Sequence, residues 1–458
     1  MLRRDPASFR DPDGFVFSLD GIFYRRLTPQ AHARLRESQP FIEAAVQRGL
    51  LLPFELDIEA PAEAASGGGS LIRPERIDLI TYPHEWCFQQ LKEAALATLD
   101  VNILALEHGL TLKDASAFNV QAYEGRMVLI DHTSFEETDG KIPWRPYSQF
   151  CRHFLNPLVI ASYRDMHAGA LFRLDLDGVP QQTANDLLPW RARFVPSIAI
   201  HMYLHNRFIR RSPEFEASTK PVVEKPGRGI QSSFLRHLRG FIEGLGPSKA
   251  ASNWANYYSQ TNYSDATFEK KRELMVGSLA GRKFGTIWDV GANDGTFSRA
   301  IAPAASQVLA LDLDHNAVNA GYHESQRVGA RSIAHLVYNV CNPTPALGFN
   351  NAERSTLETR SKPDAIIALA VIHHLAITNN VPLDQSADYF AERAEELIIE
   401  FVAPEDSQVQ RLLAQKNVAY DWYSEELFQS SYSRRFELVS RQEITGSHRC
   451  IYHFKRRQ

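Results

Sequence analysis

The stretch IWDVGANDGTFSRAI, running from Ile287 to Ile301, constrains this chain more than any other. Ile287 and Trp288 run into Asp289, a glycine-rich turn follows, and an apolar-periodic segment begins at Phe297. That order predicts a buried strand, a tight turn and a helix start. Gly291 and Gly295 allow a sharp turn and a close approach to a ligand. The amides of the helix start offer hydrogen-bond donors. The expected location is the carboxyl end of a first parallel strand, where open α/β sheets bind ligands.

An alternation of strands and helices continues from there. Val308 to Asp314 reads as a second buried strand, with Asp312 and Asp314 at its end; 335–343 reads as a third, with Asn339 near its end. Residues 363–375 read as a fourth, ending in His373-His374, and 396–406 as a fifth, with Glu400 near its end. FELVSRQEI and CIYHFKRR supply two last strands. An acidic residue closing the second strand is the expected partner of the ribose hydroxyls of a bound adenosine.

A dinucleotide fingerprint would read Gly-x-Gly-x-x-Gly. This chain reads Asp-x-Gly-x-x-x-Gly and then Thr-Phe-Ser. The order resembles motif I of class I S-adenosylmethionine-dependent methyltransferases, and the ends of the later strands follow that family. The resemblance implies a Rossmann-like α/β sheet. It implies that Asp289, Gly291, Asn293 and Gly295 hold the methionine part of S-adenosylmethionine, Asp312 the ribose and Asn339 the adenine. Asn339 stands where the family tends to have Asp; an amide oxygen still accepts a hydrogen bond from an amine but carries no charge. His374, with His373 beside it, falls on the acceptor side, and an ordinary imidazole pKa of about 6.5 suits deprotonation of a hydroxyl or amine. The alternative for this pair is packing under the next helix and a bond to a loop carbonyl. Glu400 is a further candidate base, or a structural partner of the loop.

The first half has its own pattern. GFVFSLDGIFYRRL (14–27) reads as a β-hairpin turning at Asp20-Gly21. A helical pattern runs from Glu85 to His108 and stops at Gly109. Then LKDASAFNVQAYEGRMVLIDHTSFEE places Asp114 and Asn119 in a loop and Asp131 at a strand end. This resembles the protein-kinase-like superfamily over about 10–210. There the first Asp orients the hydroxyl, while the Asn and the second Asp hold Mg²⁺ beside ATP. The implied metal ligands are Asn119 and Asp131. No lysine precedes Lys92, so Arg25 or Arg26 stands in for the phosphate-pairing lysine, and no Gly-x-Gly-x-x-Gly loop is present. Read without the resemblance, Asp114 and Asn119 cap a turn and Asp131 begins a loop. His153, His167, His201 and His205 read as structural or surface residues rather than a metal site; His201 and His205 share helical spacing but lack the intervening Glu of a zinc helix.

Length bounds the rest: 458 residues suggest two or three domains. We expect an α+β domain at 1–210, a proline-rich linker at 211–229, and the methyltransferase domain, with N-terminal helices, at 230–458. A net charge of −4 gives no global argument for nucleic acid or an anionic membrane as partner. Cys87, Cys151, Cys341 and Cys450 form no CxxC pair. No run of about 18 apolar residues suggests a membrane span, and the basic N-terminus lacks the apolar core of a secretory signal, so a cytoplasmic protein is expected. ITYPHEW, LKDASAFN, IDHTSFE, FCRHFLNPL, LAVIHHLAITNNVP and IIEFV together resemble a bacterial group of two-domain methyltransferase-like proteins, some labelled nodulation proteins. The function this implies is methyl transfer from S-adenosylmethionine to a small-molecule or glycan acceptor, the first domain assisting recognition. A bifunctional kinase-methyltransferase and a non-catalytic S-adenosylmethionine-binding scaffold are the other readings.

Overall fold

The computed structural model describes residues 3–59, 69–204, 227–248, 265–416 and 420–458. Most of the expected linker, the 60–68 loop, His205, and Trp254, Tyr257, Tyr258 and Tyr263 lie outside the described residues. The chain divides into two units, Met1–Ala250 with Pro345–Ser355, and Ala251–Thr344 with Thr356–Gln458.

In the first unit, Gly14–Leu19 and Ile22–Leu27 pair antiparallel, as the aromatic-rich runs predict. Asp20 and Gly21 both take positive φ, 50° and 83°, which matches the twist of a two-residue hairpin. The hairpin belongs to a five-stranded sheet in the order Arg3–Arg4, Gly14–Leu19, Ile22–Leu27, Ser70–Pro74, Phe54–Leu56. The long helix is Phe88–Glu107, and Leu91, Leu99 and Leu106 on it are buried in this unit's core. Chain reversal at Gly109 (φ 78°) leads to Leu110–Leu112, which pairs with Phe135–Glu137. Between them lies the hairpin Val120–Tyr123 and Arg126–Leu129. Asp114 and Asn119 therefore precede this hairpin and Asp131 follows it.

The helix Arg228–Glu243, expected at the start of the second domain, belongs to the first unit. Leu235, Leu238 and Ile242 recur at helical spacing and bury in that core, and Arg239 Nε pairs with Asp100 at 2.6 Å.

The second unit is built on seven strands: β1 Phe284–Val290, β2 Ala305–Asp312, β3 Ile333–Val337, β4 Ala365–Ala368, β5 Glu396–Val402, β6 Phe436–Glu443 and β7 Arg449–Arg456. Their spatial order is 3-2-1-4-5-7-6. The first five are parallel, and β7 runs antiparallel between β5 and β6. This is an open, mostly parallel, Rossmann-like α/β sheet. Every residue of β4 and β5 is buried, which is why β4 reads as an unbroken apolar run and β5 as an apolar run interrupted only by Glu396 and Glu400. β1 lies between β2 and β4, so the strand order reverses at β1 and opens a crevice at its carboxyl end.

Two strands are shorter than their apolar runs suggest. β3 ends at Val337 because Tyr338 N–H turns to the carbonyl of Asp312 and Asn339 starts a side-chain-capped turn. β4 ends at Ala368, two residues before Ala370, whose φ of 55° reverses the chain. The apolar residues beyond it enter a wide helical turn, His374–Thr378.

Candidate active site

The glycine turn is fixed by the neighbouring strand β2. Gly291 and Ala292 donate their N–H groups to the carbonyl of Leu311 on β2, at 2.8 and 3.1 Å. Asn293 N–H donates to Asp312 Oδ2 at 2.8 Å, and Asp314 N–H to Asp312 Oδ1 at 2.8 Å. Asp294 then accepts from Thr296 N–H and Thr296 Oγ1, at 3.0 and 2.7 Å, closing a side-chain turn just before the helix Thr296–Ile301. Gly291, Asn293 and Gly295 all have positive φ (73°, 52° and 71°). A Cβ on Gly291 would lie 2.5 Å from Val371 Cγ2, and one on Gly295 would lie 2.7 Å from His335 Cε1. Glycine is therefore required at both positions by backbone conformation and by space.

The two acids of the motif have no cation bonded to them. Asp289 is 2% exposed and accepts from Ser298 Oγ at 2.5 Å. Burial pushes its carboxyl up to about 6, against the Ser298 hydrogen bond. Asp312 is half-buried; burial pushes it up to about 6 as well, against its two backbone donors. Neutral donors stabilise a carboxylate less than a guanidinium or ammonium does. Asn339 sits next to this pair, because Tyr338 N–H is bonded to Asp312 O at 2.8 Å. Its Oδ1 accepts Cys341 N–H at 2.9 Å, which leaves one lone pair. The structure thus brings Asp289, Gly291, Asn293, Gly295, Asp312 and Asn339 to one end of the sheet. Glycines where a Cβ clashes, and buried acids holding only neutral donors, fit a group with hydroxyl donors and positive charge.

The two histidines are not equivalent. His373 is fully buried and neither ring nitrogen has a partner. Its ring lies 4.2 Å from that of His374, centroid to centroid. Burial, then the neighbouring His374, Arg449 and Lys271, holds it well below the imidazole range. His374 is partly exposed, and burial followed by Arg449 lowers it to about 4. The expectation of an ordinary imidazole near 6.5 is corrected for both. A ring with no exposed surface cannot meet an acceptor, so His374 is the accessible member of the pair.

Glu400 is also not a base. It has no exposed surface and lies between Lys271 Nζ at 2.6 Å and Arg449 Nη1 at 3.3 Å. Arg449 Nε in turn pairs with Asp406 at 2.8 Å. Sequence reasoning missed this buried network of two cations and two anions, which joins a helix, two strands and a loop. The one signal was polar residues inside apolar runs, as at Glu400.

In the first unit, Asp131 has a cation partner. Its Oδ1 accepts from Arg25 Nη1 at 2.6 Å, Thr133 Oγ1 at 3.0 Å and Thr133 N–H at 3.1 Å. Its Oδ2 accepts from Ser134 Oγ. Burial would raise this carboxyl, but Arg25 and the hydroxyl donors outweigh it and hold it well below the usual range. Asp114 Oδ1 accepts from Ser116 N–H at 2.9 Å and Gln149 Nε2 at 2.8 Å. Among the described residues no group of three or more His, Cys, Asp or Glu side chains is arranged to hold a metal ion. In this arrangement the carboxylate oxygens of Asp131, expected with Asn119 to ligate Mg²⁺, are bonded to Arg25, Thr133 and Ser134. No helix among the described residues is long and apolar enough to cross a membrane.

The chain matches no protein-family model. It is 31% identical over 462 residues to the nodulation protein NoeA of Rhizobium meliloti strain 1021, covering 99% of this chain and 96% of that one. Among solved structures it is similar to the N-methyltransferase NodS of Bradyrhizobium japonicum WM9, with 12% identity and a TM-score of 0.32, covering 43% of this chain and 99% of that one. It is also similar to the magnesium protoporphyrin IX methyltransferase ChlM of Synechocystis PCC 6803, with 16% identity and a TM-score of 0.32, covering 44% and 89%. A third similarity is to WbdD, with 12% identity and a TM-score of 0.31, covering 45% and 43%.

Proposed function

The chain belongs to the family of the nodulation protein NoeA, and from that premise we propose that its second unit transfers a methyl group from S-adenosylmethionine to a small-molecule or glycan acceptor. The observation that carries this reading is the bond from Asn293 N–H to Asp312 Oδ2 at 2.8 Å. It joins the glycine turn of β1 to the acid of β2, so one rigid corner presents both backbone and carboxylate to the crevice.

The bound cofactor supplies a methyl group on a positively charged sulfur. The chain's own residues do the rest by placement. Asp289 and the Gly291–Gly295 turn hold the methionine part, Asp312 accepts from the ribose hydroxyls, and the remaining lone pair of Asn339 Oδ1 serves the adenine amine. His374 is unprotonated through the neutral range and accepts a hydrogen bond from the acceptor hydroxyl or amine. Its low basicity makes it a positioner of the acceptor more than a strong base.

We read the first unit as assisting substrate recognition. The run of a long helix, Asp114, Asn119, a hairpin and Asp131 supports a kinase-like arrangement. The ion pair between Arg25 and Asp131 argues against metal-assisted phosphoryl transfer there.

Calorimetry of the full chain with S-adenosylmethionine tests the methyltransferase reading. The wild type is expected to bind; Asp289→Ala and Asp312→Ala are expected to lose binding while keeping their melting transition. Wild-type affinity in both variants, or no binding by the wild type, sinks it. Mass spectrometry of metabolites that accumulate on deletion of the protein would identify the acceptor.

A further inference from the structure

One corner of the first unit turns its largest apolar side chains outward. Pro189 and Pro196 bracket the tight turn Trp190–Phe194. The turn closes on its own backbone: Ala192 N–H donates to the carbonyl of Pro189 at 2.9 Å, and Val195 N–H to that of Ala192 at 3.2 Å. Ala192 is its single buried residue, so the other four side chains project. Trp190 is 73% exposed and Phe194 75%. The turn packs against the wide helix Ala199–Leu204, on which Ile200 and Leu204 are exposed four residues apart. A lone exposed apolar residue is ordinary, but four on adjoining elements mark an interaction surface.

The charge of the same stretch is a second, independent observation. Asp and Glu outnumber Lys and Arg in this chain, 54 to 50, yet residues 187–204 hold Arg191 and Arg193 and no acid. Both arginines are exposed between the two rings in sequence. The Arg193 guanidinium lies 5.1 Å from the centroid of the Tyr203 ring, which holds it beside the helix Ala199–Leu204. Asp186, the acid just before the stretch, accepts from Gln182 Nε2 at 2.7 Å. Beyond Leu204 the sequence, outside the described residues, adds Arg207, Arg210 and Arg211 before its next acid, Glu214. The partner that fits is therefore anionic.

The ring geometry chooses among anionic partners. Trp190 and Phe194 meet edge to face, with centroids 5.7 Å apart and planes at 88°. That makes a wedge, not the parallel platform on which bases stack. A bilayer interface asks for no matching groove. Aromatic rings settle at the level of the headgroups, and guanidiniums on flexible stems reach the lipid phosphates.

We propose that Trp190 and Phe194, flanked by Arg191 and Arg193, dock the first unit on an anionic lipid bilayer. The rings enter the headgroup boundary and the guanidiniums pair with lipid phosphates. The contact is peripheral, with no segment crossing the bilayer, and it is independent of the methyl-transfer reading.

Co-sedimentation of the full chain with vesicles tests this, using phosphatidylcholine alone and phosphatidylcholine mixed equally with phosphatidylglycerol. The wild type is expected to bind the mixed vesicles about tenfold or more tighter than the neutral ones, and to lose that preference as salt rises. Trp190→Ala/Phe194→Ala is expected to weaken binding to mixed vesicles about tenfold or more, through lost apolar burial. Arg191→Gln/Arg193→Gln is expected to weaken it by a similar factor and to flatten its salt dependence. All four side chains are exposed, so both variants are expected to keep the wild-type melting transition. No binding of the wild type to mixed vesicles, equal binding to the two vesicle types, or binding that survives either pair of substitutions overturns the proposal. A wild type that is dimeric in sedimentation velocity, and monomeric once Trp190 and Phe194 are replaced, also overturns it by assigning the corner to a second copy of the chain. Should a variant not fold, hydrogen exchange of the unaltered protein decides: mixed vesicles are expected to slow exchange across residues 187–204, and no slowing there overturns the proposal.

Discussion

The buried acids of the two units live in opposite electrostatic settings. In the second unit, Asp289 and Asp312 hold a serine hydroxyl and backbone N–H groups, and burial lifts both to about 6. In the first unit, Asp131 is held by a buried guanidinium that keeps it well below the usual range. The difference separates a finished contact from an unfinished one. An acid paired with a cation contributes to the fold as it stands. An acid kept charged among neutral donors is a cost, about 3 kcal/mol at most for a shift from 3.8 to about 6, and the fold recovers it only when something with hydroxyls or positive charge arrives.

The largest expected effect removes the cation from the finished contact. Arg25→Gln takes the buried guanidinium away from the half-buried Asp131 and Asp11 and is expected to destabilise the first unit by about 3 kcal/mol in chemical denaturation. Asp312→Asn, by contrast, removes an unpaired charge and is expected to leave stability unchanged or slightly raised while weakening cofactor binding. If Asp312→Asn costs as much stability as Arg25→Gln, the distinction between the two acids fails.

A second prediction turns the distinction into a pH profile. For Asp289 and Asp312 the folded pKa lies above the unfolded value. Their penalty is therefore absent at low pH, grows as pH rises past about 4, and is complete above about 6. Cofactor binding runs the other way, because hydroxyl donors and a cationic sulfur favour the carboxylates. Affinity for S-adenosylmethionine is expected to be flat above pH 7 and to fall by up to about tenfold per pH unit, per group, below pH 6. Asp312→Asn is expected to remove one of the two steps. A profile that is flat from pH 7 to 5 in calorimetry would show that neither acid faces the ligand.

A third, smaller effect concerns the turn between these acids. Gly291→Ala places a Cβ 2.5 Å from Val371 Cγ2 at a φ of 73°. It is expected to cost about 1–3 kcal/mol and to weaken cofactor binding by moving the loop after β4. Pairing it with Val371→Ala relieves the contact but not the backbone strain, so partial rescue is expected in thermal melts. Full rescue would mean that the left-handed conformation costs nothing at this position.

How much of this was legible in the sequence depends on the distance between partners. Asp289, Gly291, Gly295 and Asp312 lie at strand ends marked by apolar runs, so local periodicity located them. Ala370 hid the end of β4, because nothing in LAVIHHL signals a left-handed alanine. Arg25 was singled out as a stand-in for a missing lysine, but its partner Asp11 was not, because Asp11 sits in an irregular segment with no pattern to read. Of the Lys271, Glu400, Arg449 and Asp406 network only Glu400 stood out, as a polar residue in an apolar run; its partners did not, because tertiary packing alone brings them together.

The smallest expected effect sharpens the comparison within one dipeptide. His373 has two unpartnered ring nitrogens and no exposed surface, so its polarity does nothing for the fold. Replacing a buried unsatisfied polar ring by an apolar one of similar shape is close to neutral, because no partner is left behind. His373→Phe is therefore expected to change stability by less than about 1 kcal/mol in either direction, with the aromatic contact to His374 kept. Turnover of the acceptor is expected to be unchanged in His373→Phe and reduced in His374→Ala, with cofactor affinity intact in both. The opposite outcome, loss of turnover in a well-folded His373→Phe with normal cofactor binding, would mean that the buried ring moves during the reaction. The unpaired nitrogens would then be a second unfinished contact of the kind seen at Asp289 and Asp312, completed by the acceptor rather than by the cofactor.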